Sequence, residues 1–319
     1  YNYAGTKINT KADGYKQEES SYEKTSSRTD FYSMAGYVDY HNTFAQHHNV
    51  SAMVGAQYEL KEYDYFGVSV KDIQNSLETV NGAGLVNLTD KHGTKWHEAV
   101  MSYYSRLNYN YKSKYLLEVN MRYDGSSKFK PENRWDFFYG ISGGWRITEE
   151  AFMKNIKWLN DLKIRLSYGE VGNDKIGSEK YYYLQTYPML TSYRPSFGID
   201  NNPENRIYEG KEGNIDVTWE RARKLNIGID MRLFDSKLAL TVDAFTEKRI
   251  NILDYDRAIS TIYGMLGATD SNKGFPPQNL GEVRNSGFEV DASFNDKIGD
   301  VSYYVKGNVS FARNKILKK

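Results

Sequence analysis

The sequence predicts an all-β protein, a meander of long antiparallel strands forming part of a transmembrane β-barrel, and three observations carry that reading. Apolar and polar side chains alternate at period two through most of the chain, as where Leu225, Ile227, Ile229, Met231 and Leu233 interleave with Asn226, Gly228, Asp230 and Arg232. The connections between these runs are short and long by turns, which in an antiparallel meander gathers the short turns on one rim and the long loops on the other. Aromatic residues collect at both ends of the runs, where two membrane interfaces hold amphipathic rings.

About eleven strands are expected, at roughly 1–10, 30–44, 49–62, 96–111, 115–124, 136–147, 161–170, 218–233, 238–250, 282–294 and 301–312. Before Trp96 they rest on alternation alone. The run at 115–124 sets Tyr115, Leu117, Val119 and Met121 against Leu116, Glu118, Asn120 and Arg122, and a Gly/Ser/Pro/Asn-rich excursion then leads into the aromatic run at 136–147. Leu162, Ile164, Leu166 and Tyr168 oppose Lys163, Arg165, Ser167 and Gly169. Leu238, Leu240, Val242 and Ala244 oppose a row with Thr241 and Asp243, and Phe288, Val290, Ala292 and Phe294 oppose Glu289, Asp291 and Ser293. Short connections fall at 45–48, 112–114, 148–160, 235–237 and 295–300, and long ones at 11–29, 63–95, 125–135, 171–217 and 251–281. Tyr109, Tyr111 and Tyr115 bracket one short turn, with Phe234 and Phe294 beside two others. Tyr63, Tyr65, Trp96, Tyr123, Tyr168 and Trp219 stand at the long-loop ends.

Composition narrows the function. The chain has 319 residues, and 42 Lys+Arg against 41 Asp+Glu give a net charge of +1, so no sequence-wide charge favours nucleic acid as a partner. Cysteine is absent, which removes disulfides and thiolate chemistry. Tyrosine at 28 copies and proline at 6 suit strands hydrogen-bonded on both sides. No apolar run approaches the ~20 residues of a spanning helix. The mean hydropathy of -0.70 fits a soluble chain, yet it fits a barrel equally, since only alternate residues of each strand meet lipid. The chain opens on Tyr1 without a signal peptide, as a processed protein or an interior piece would, and no linker divides residues 1–319, which read as one barrel-domain segment. Alternation alone also fits a soluble β-sandwich or barrel with one solvated face.

Catalytic and metal chemistry find little support. His47 and His48 fall in a short turn, His92 and His97 flank a loop end beside Glu98, and none has the spacing of a helical zinc motif. Solvated turn histidines are the expectation. Glu149 and Glu150 diverge as neighbours must, and with Phe152 and Met153 they read as the acidic start of a helical turn. Ser126 and Ser127 have no base at defined spacing. No enzyme, metal or cofactor is therefore expected. Ligand contacts are expected in the long loops, where Tyr182, Tyr187, Tyr193 and Tyr263 are the candidate substrate-binding rings, with Tyr181, Tyr183 and Phe275 nearby. Such rings stack on sugars or pack on peptide side chains, and they hold a loop together just as well.

Ordered blocks from Trp96 onward resemble a known family. They are Ser105-Arg106-Leu107-Asn108-Tyr109, Arg122-Tyr123-Asp124-Gly125-Ser126-Ser127, Gly144-Trp145-Arg146-Ile147 with Glu149-Glu150 and Phe152-Met153, and Leu166-Ser167-Tyr168-Gly169 with Gly172-Asn173. Thr218-Trp219-Glu220 with Lys224-Leu225-Asn226-Ile227-Gly228 follows, then Asn279-Leu280-Gly281-Glu282-Val283 with Gly287-Phe288-Glu289. This wording resembles the barrel of the SusC/RagA-type TonB-dependent transporters, outer-membrane importers of glycans and oligopeptides. The resemblance implies a 22-stranded barrel with a plugged lumen, a SusD-like surface lipoprotein as lid, surrounding outer-membrane lipid, and a TonB complex engaged through an N-terminal region. No plug, TonB-contacting segment or final strands are read in this chain, so its strands are expected to be the middle of such a barrel. The inward charges Glu118, Arg122, Lys163, Arg165, Asp230 and Arg232 are then expected to meet a plug or water. The expected function is import of oligosaccharides or oligopeptides, with a soluble β-rich binding or adhesive protein as the alternative and an outer-membrane enzyme as the third class.

Overall fold

The computed structural model describes residues 21–71, 93–176, 180–187, 189–190, 196–197, 202–203, 206–207, 213–254 and 277–318. Six long strands come first: β1 (Ser21–Phe44), β2 (His48–Lys71), β3 (Gly93–Tyr111), β4 (Tyr115–Ser126), β5 (Trp135–Arg146) and β6 (Leu159–Asn173). Four two-residue strands follow in the long loop, β7 (Met189–Leu190), β8 (Ser196–Phe197), β9 (Asn202–Pro203) and β10 (Arg206–Ile207), pairing β7 with β10 and β8 with β9. The last four long strands are β11 (Glu220–Leu233), β12 (Leu238–Asp254), β13 (Gln278–Ile298) and β14 (Val301–Lys318). The ten long strands form one sheet in chain order, and the pairings from β4 to β14 are antiparallel. No described helix is long and apolar enough to cross a membrane, which leaves strands as the spanning element.

The strands are where alternation placed them but run further. The expected strand at 1–10 lies outside the described residues. β1 begins at Ser21, inside the expected loop 11–29, while β2 ends at Lys71 and β3 starts at Gly93, so the expected loop 63–95 is strand at both ends. Tyr63, Tyr65 and Trp96 therefore stand within strands rather than at loop ends. β12 and β13 likewise shorten the expected connections 251–281 and 295–300, and Phe294 lies within β13, opposite Leu238. The reason is the same each time. A stretch such as Lys61-Glu62-Tyr63-Asp64-Tyr65 carries no hydropathy contrast, yet the backbone ladder continues because its hydrogen bonds ignore side-chain polarity.

The chain divides into two compact units, one made of Tyr1–Met34 and Tyr58–Val100, the other of Ala35–Gln57 and Met101–Lys319. Within the first, Tyr63 of β2 stacks on Trp96 of β3 at 5.2 Å, and the Lys61 ammonium lies 5.5 Å from the Trp96 ring. The second unit carries the rows and rims described below.

Short turns close one end of the second unit. Ala45-Gln46, Lys112-Ser113 and Phe234-Asp235-Ser236 all take positive φ, the left-handed conformation of tight hairpin turns whose twist matches that of the strands. Neighbouring turns are also tied to each other. The Lys112 N–H donates to His47 O at 2.9 Å, Arg146 to Lys114 O at 2.8 Å and Phe234 to Trp158 O at 2.8 Å, and Asn295 within β13 donates to Lys237 O at 2.8 Å. The helical turn expected around Glu149-Glu150 is two 3-10 turns, Ile147–Glu149 and Ala151–Met153.

Candidate functional site

Register converts the alternation of single strands into two chemically opposite faces. Tyr115, Trp145, Ile164, Ile229, Val242, Val290 and Val309 are successive cross-strand partners from β4 to β14, and so are Leu117, Gly143, Leu166, Ile227, Ala244, Phe288 and Phe311. Successive side chains of a strand point to opposite faces, so one face is apolar across seven strands. Its side chains are bare: Leu166 is 53 % exposed, Ile227 49 % and Val309 63 %. A soluble protein rarely leaves so continuous an apolar surface uncovered.

The opposite face is ionic. Its rows run through Gly144, Arg165, Gly228, Asp243 and Glu289, and through Arg146, Lys163, Asp230, Thr241 and Asp291. Arg165 donates to Asp230 at 2.8 Å and to Asp243 at 3.0 Å, reaching across β11. Gly228 makes that reach possible, because a Cβ there would stand 2.5 Å from Asp243 Oδ1 and 2.6 Å from the Arg165 guanidinium. Lys224 pairs with Glu247 at 3.2 Å and Lys306 with Asp291 at 3.0 Å. Arg122 donates to Ser102 at 3.1 Å and to Asp124 at 3.1 Å, and Glu118 accepts from Asn120 at 2.7 Å. Of the inward charges read from the sequence, Arg165 and Asp230 pair with each other, Arg122 and Glu118 bond to neighbours on the wall, and Lys163 and Arg232 join Glu118, Arg165 and Asp230 in lining two open recesses. The larger recess, about 890 Å³, is bounded by amides and hydroxyls, among them Asn49, Asn108, Ser142, Ser167 and Asn226, together with apolar residues such as Leu116 and the charges of Glu118, Lys163 and Arg165.

At the short-turn rim Glu150 gathers three donors. The Tyr115 hydroxyl reaches it at 2.6 Å, the Lys114 ammonium at 3.1 Å and the Trp145 indole at 3.1 Å. The Tyr115 hydrogen bond, then that of Lys114, hold its carboxyl below the ordinary value of 4.5. His48, expected to be solvated, instead packs on Tyr111 at 4.8 Å with Nδ1 2.8 Å from the Tyr109 hydroxyl, while His47 is exposed. No group of three or more His, Cys, Asp and Glu side chains able to hold a metal ion occurs among the described residues.

The long-loop rim holds the main buried cluster. Phe129, Phe138, Ile176, Val217 and Trp219 are all buried, with Tyr182 and Leu253 packed against them. Trp219 lies 5.2 Å from the Phe129 ring and 5.5 Å from that of Phe138, and its indole N–H donates to Arg134 O at 3.0 Å. Ser126, weighed above as a nucleophile, is buried and donates to Asp174 at 2.8 Å. Beside the cluster Arg221 pairs with Asp136 and, at 2.9 Å, with Glu170, which also takes Arg223 at 2.9 Å. Asn279 accepts the Thr218 N–H at 3.0 Å and donates to Thr218 O at 2.9 Å and Asn251 O at 2.7 Å. The sequence blocks containing Thr218-Trp219-Glu220, Asn173 and Asn279 thereby meet at one place, since Glu220 accepts from Asn173 at 2.9 Å and from the Leu253 N–H at 3.0 Å. Nothing in the spacing of these residues signals that meeting.

The candidate rings divide. Tyr182 packs against the buried cluster and its carbonyl accepts the Asn214 N–H at 2.8 Å, whereas Tyr187 is 64 % exposed. Tyr181 and Tyr183 meet edge to face at 6.3 Å. Tyr193, Tyr263 and Phe275 lie outside the described residues.

A sheet with one bare apolar face, one ion-paired face, short turns on one rim and long loops on the other is the wall of an outer-membrane β-barrel. Comparison with known proteins specifies it further. Residues 1–317 match the family described as TonB dependent receptor-like, beta-barrel, and the chain belongs to that family, whose barrels sit in the bacterial outer membrane. It is 30 % identical to TonB-dependent receptor P39 of Formosa agariphila over 88 % of this chain and 26 % of that protein. It is 30 % identical to TonB-dependent receptor SusC of Bacteroides thetaiotaomicron over 69 % of this chain and 21 % of that one. Among solved structures, the RagAB peptide importer in its open-open state superposes with a TM-score of 0.79 at 23 % identity, over 98 % of this chain and 32 % of that one. The chain thus spans about a quarter of the length of the curated relatives it matches, and it is of the SusC/RagA type.

Proposed function

We propose that residues 1–319 form one segment of the barrel wall of an importer that takes up oligosaccharides or oligopeptides across the outer membrane. The observation that carries this reading is the pair of opposed faces: seven strands of uncovered apolar side chains backed by cross-strand ion pairs. Lipid satisfies the first face, and a wet or plug-filled lumen satisfies the second. A soluble adhesive protein would have to cover the apolar rows with a second layer.

In this reading the wall is passive. Energy comes from a TonB complex acting on a plug contributed by the rest of the transporter, and no catalytic step is assigned to the wall. A SusD-like lipoprotein closes the long-loop rim, where Tyr187, Tyr193 and Tyr263 meet substrate and Tyr182 anchors the loop that carries Tyr187 and Tyr193. Support comes from the exposed Tyr187 ring and from the relatives named SusC and RagAB.

The test uses the full-length transporter. Shortening the 171–217 segment is expected to weaken substrate uptake and partner capture while leaving a heat-modifiable barrel in the membrane. Unchanged uptake and capture would overturn the loop assignment, and transport retained in a strain lacking TonB would overturn the energy-coupled reading.

A further inference from the structure

Three connections rise from the long-loop rim: residues 127–134, 174–219 and 255–277. Their roots are tied to each other more heavily than independent loops require. Between the first and second, Ser126 donates to Asp174 at 2.8 Å, the Lys128 ammonium to Asp174 O at 3.1 Å, the Asn133 amide to Ile215 O at 3.1 Å and the Trp219 indole to Arg134 O at 3.0 Å. Between the second and third, the Asn214 amide donates to Pro277 O at 2.8 Å, and Asn279 clamps both backbone groups of Thr218 while holding Asn251 O. The incoming and outgoing limbs of the second loop are joined where Asn214 N–H meets Tyr182 O and Gly213 N–H meets the Gln185 side chain at 3.0 Å.

Two residues stand at the centre of these ties. Trp219, 4 % exposed, touches Phe129 of the first loop and Phe138 of β5, and it shares the buried cluster with Ile176 and Val217 of the second loop. Asn279 spends both ends of its amide on the second loop's exit and the end of β12. A half-buried amide that satisfies an N–H and two carbonyls cannot be lost without leaving all three to find other partners.

We infer that Trp219 and Asn279 are positioning residues that fuse the three loop roots into one body, so that a displacement imposed on one loop is felt by the others. Capture by the long loops then depends on a shared base rather than on each loop separately. This purpose rests on the importer reading; the coupling does not, because it is measurable without substrate.

The experiment is hydrogen exchange on the full-length transporter in nanodiscs, comparing wild type, Asn279→Ala and Asn279→Asp. The hydrogen bonds of Asn279 go to Thr218 and Asn251 and none to residues 127–134, so a merely local role predicts faster exchange at 213–219 alone. Coupling predicts exchange about tenfold faster at both 213–219 and 127–134 in Asn279→Ala. Asn279→Asp, which still accepts the Thr218 N–H but cannot donate, is expected to fall between. Unchanged exchange at 127–134 beside a loosened 213–219 would overturn the inference. If Asn279→Ala does not yield a heat-modifiable barrel, Asn214→Ala, which cuts the tie to Pro277 and the local bond from the Asp216 N–H but touches nothing in 127–134 by hydrogen bond, runs the same comparison with the same two outcomes. Uptake by these variants tests the importer reading separately.

Discussion

The two rims of the second unit are held together by different chemistry. At the short-turn rim neighbouring hairpins are joined by backbone hydrogen bonds, from Lys112 N–H to His47 O through Asn295 N–H to Lys237 O, with Glu150 as the main side-chain hub. At the long-loop rim the ties are side chains: Trp219 in its cluster, the Asn279 amide, Ser126 on Asp174. Backbone bonds survive most substitutions, so the first rim can stay constant while sequence drifts. Side-chain ties are residue-specific, and loops so held can be re-specified by a few replacements without disturbing the wall.

The sharpest way to break this contrast is Trp219→Ala. Removing a buried tryptophan is expected to cost about 3–5 kcal/mol, read as a lower denaturant midpoint together with protease cuts in 127–134 and 174–219. Cuts at the short turns instead would reverse the comparison. The wall between the rims comes next. Ile229→Arg, on the bare apolar face, should cost about 2–4 kcal/mol near the bilayer midplane, whereas Asn226→Arg, facing the recess, should cost much less. Equal costs would mean that Ile229 does not meet lipid, and a spin label there that aqueous quenchers reach freely would say the same. Gly228→Ala is a smaller perturbation. Its methyl pushes on the ends of Arg165 and Asp243, which can retreat, so the expected cost is about 1 kcal/mol, the net worth of one hydrogen bond. An undiminished stability in that variant would show that the ion pair over β11 contributes nothing.

The smallest effect concerns pH at the short-turn rim. Glu150 has a depressed folded pKa, so its contribution is complete above the ordinary value of 4.5 and is lost as pH falls through the lower folded value. Melting of wild type should therefore approach that of Glu150→Gln below pH 4.5, and a constant gap between them across that range would refute the assignment.

How much of this was legible in the sequence follows from the same physics. Strands β4–β6 and β11–β14 could be read because lipid and lumen demand opposite side chains at alternate positions, and that demand is written residue by residue. The ends of β1, β2 and β3 could not, since most positions there, as in Lys61-Glu62-Tyr63-Asp64-Tyr65, are polar or aromatic and the ladder leaves little trace in hydropathy. Trp219 read as one more interfacial ring, because its partners Phe129 and Ile176 lie far off in sequence. The pairing of Arg165 with Asp230 and Asp243 was hidden for a related reason: it depends on register across three strands. Tyr182 and Tyr187 look alike in sequence, and only the fold separates the anchored ring from the exposed one.

The chain of turn-to-turn hydrogen bonds amounts to a form of proofreading during assembly. A hairpin that paired one residue out of step would turn its charged row toward lipid, and it would also lose the bond it gives to the turn on one side and the bond it receives from the other. The penalty for a single slip is thus levied by three hairpins at once. A correctly paired hairpin presents the next one with a docking point already in register, so fidelity is passed along the row instead of being established afresh at each strand.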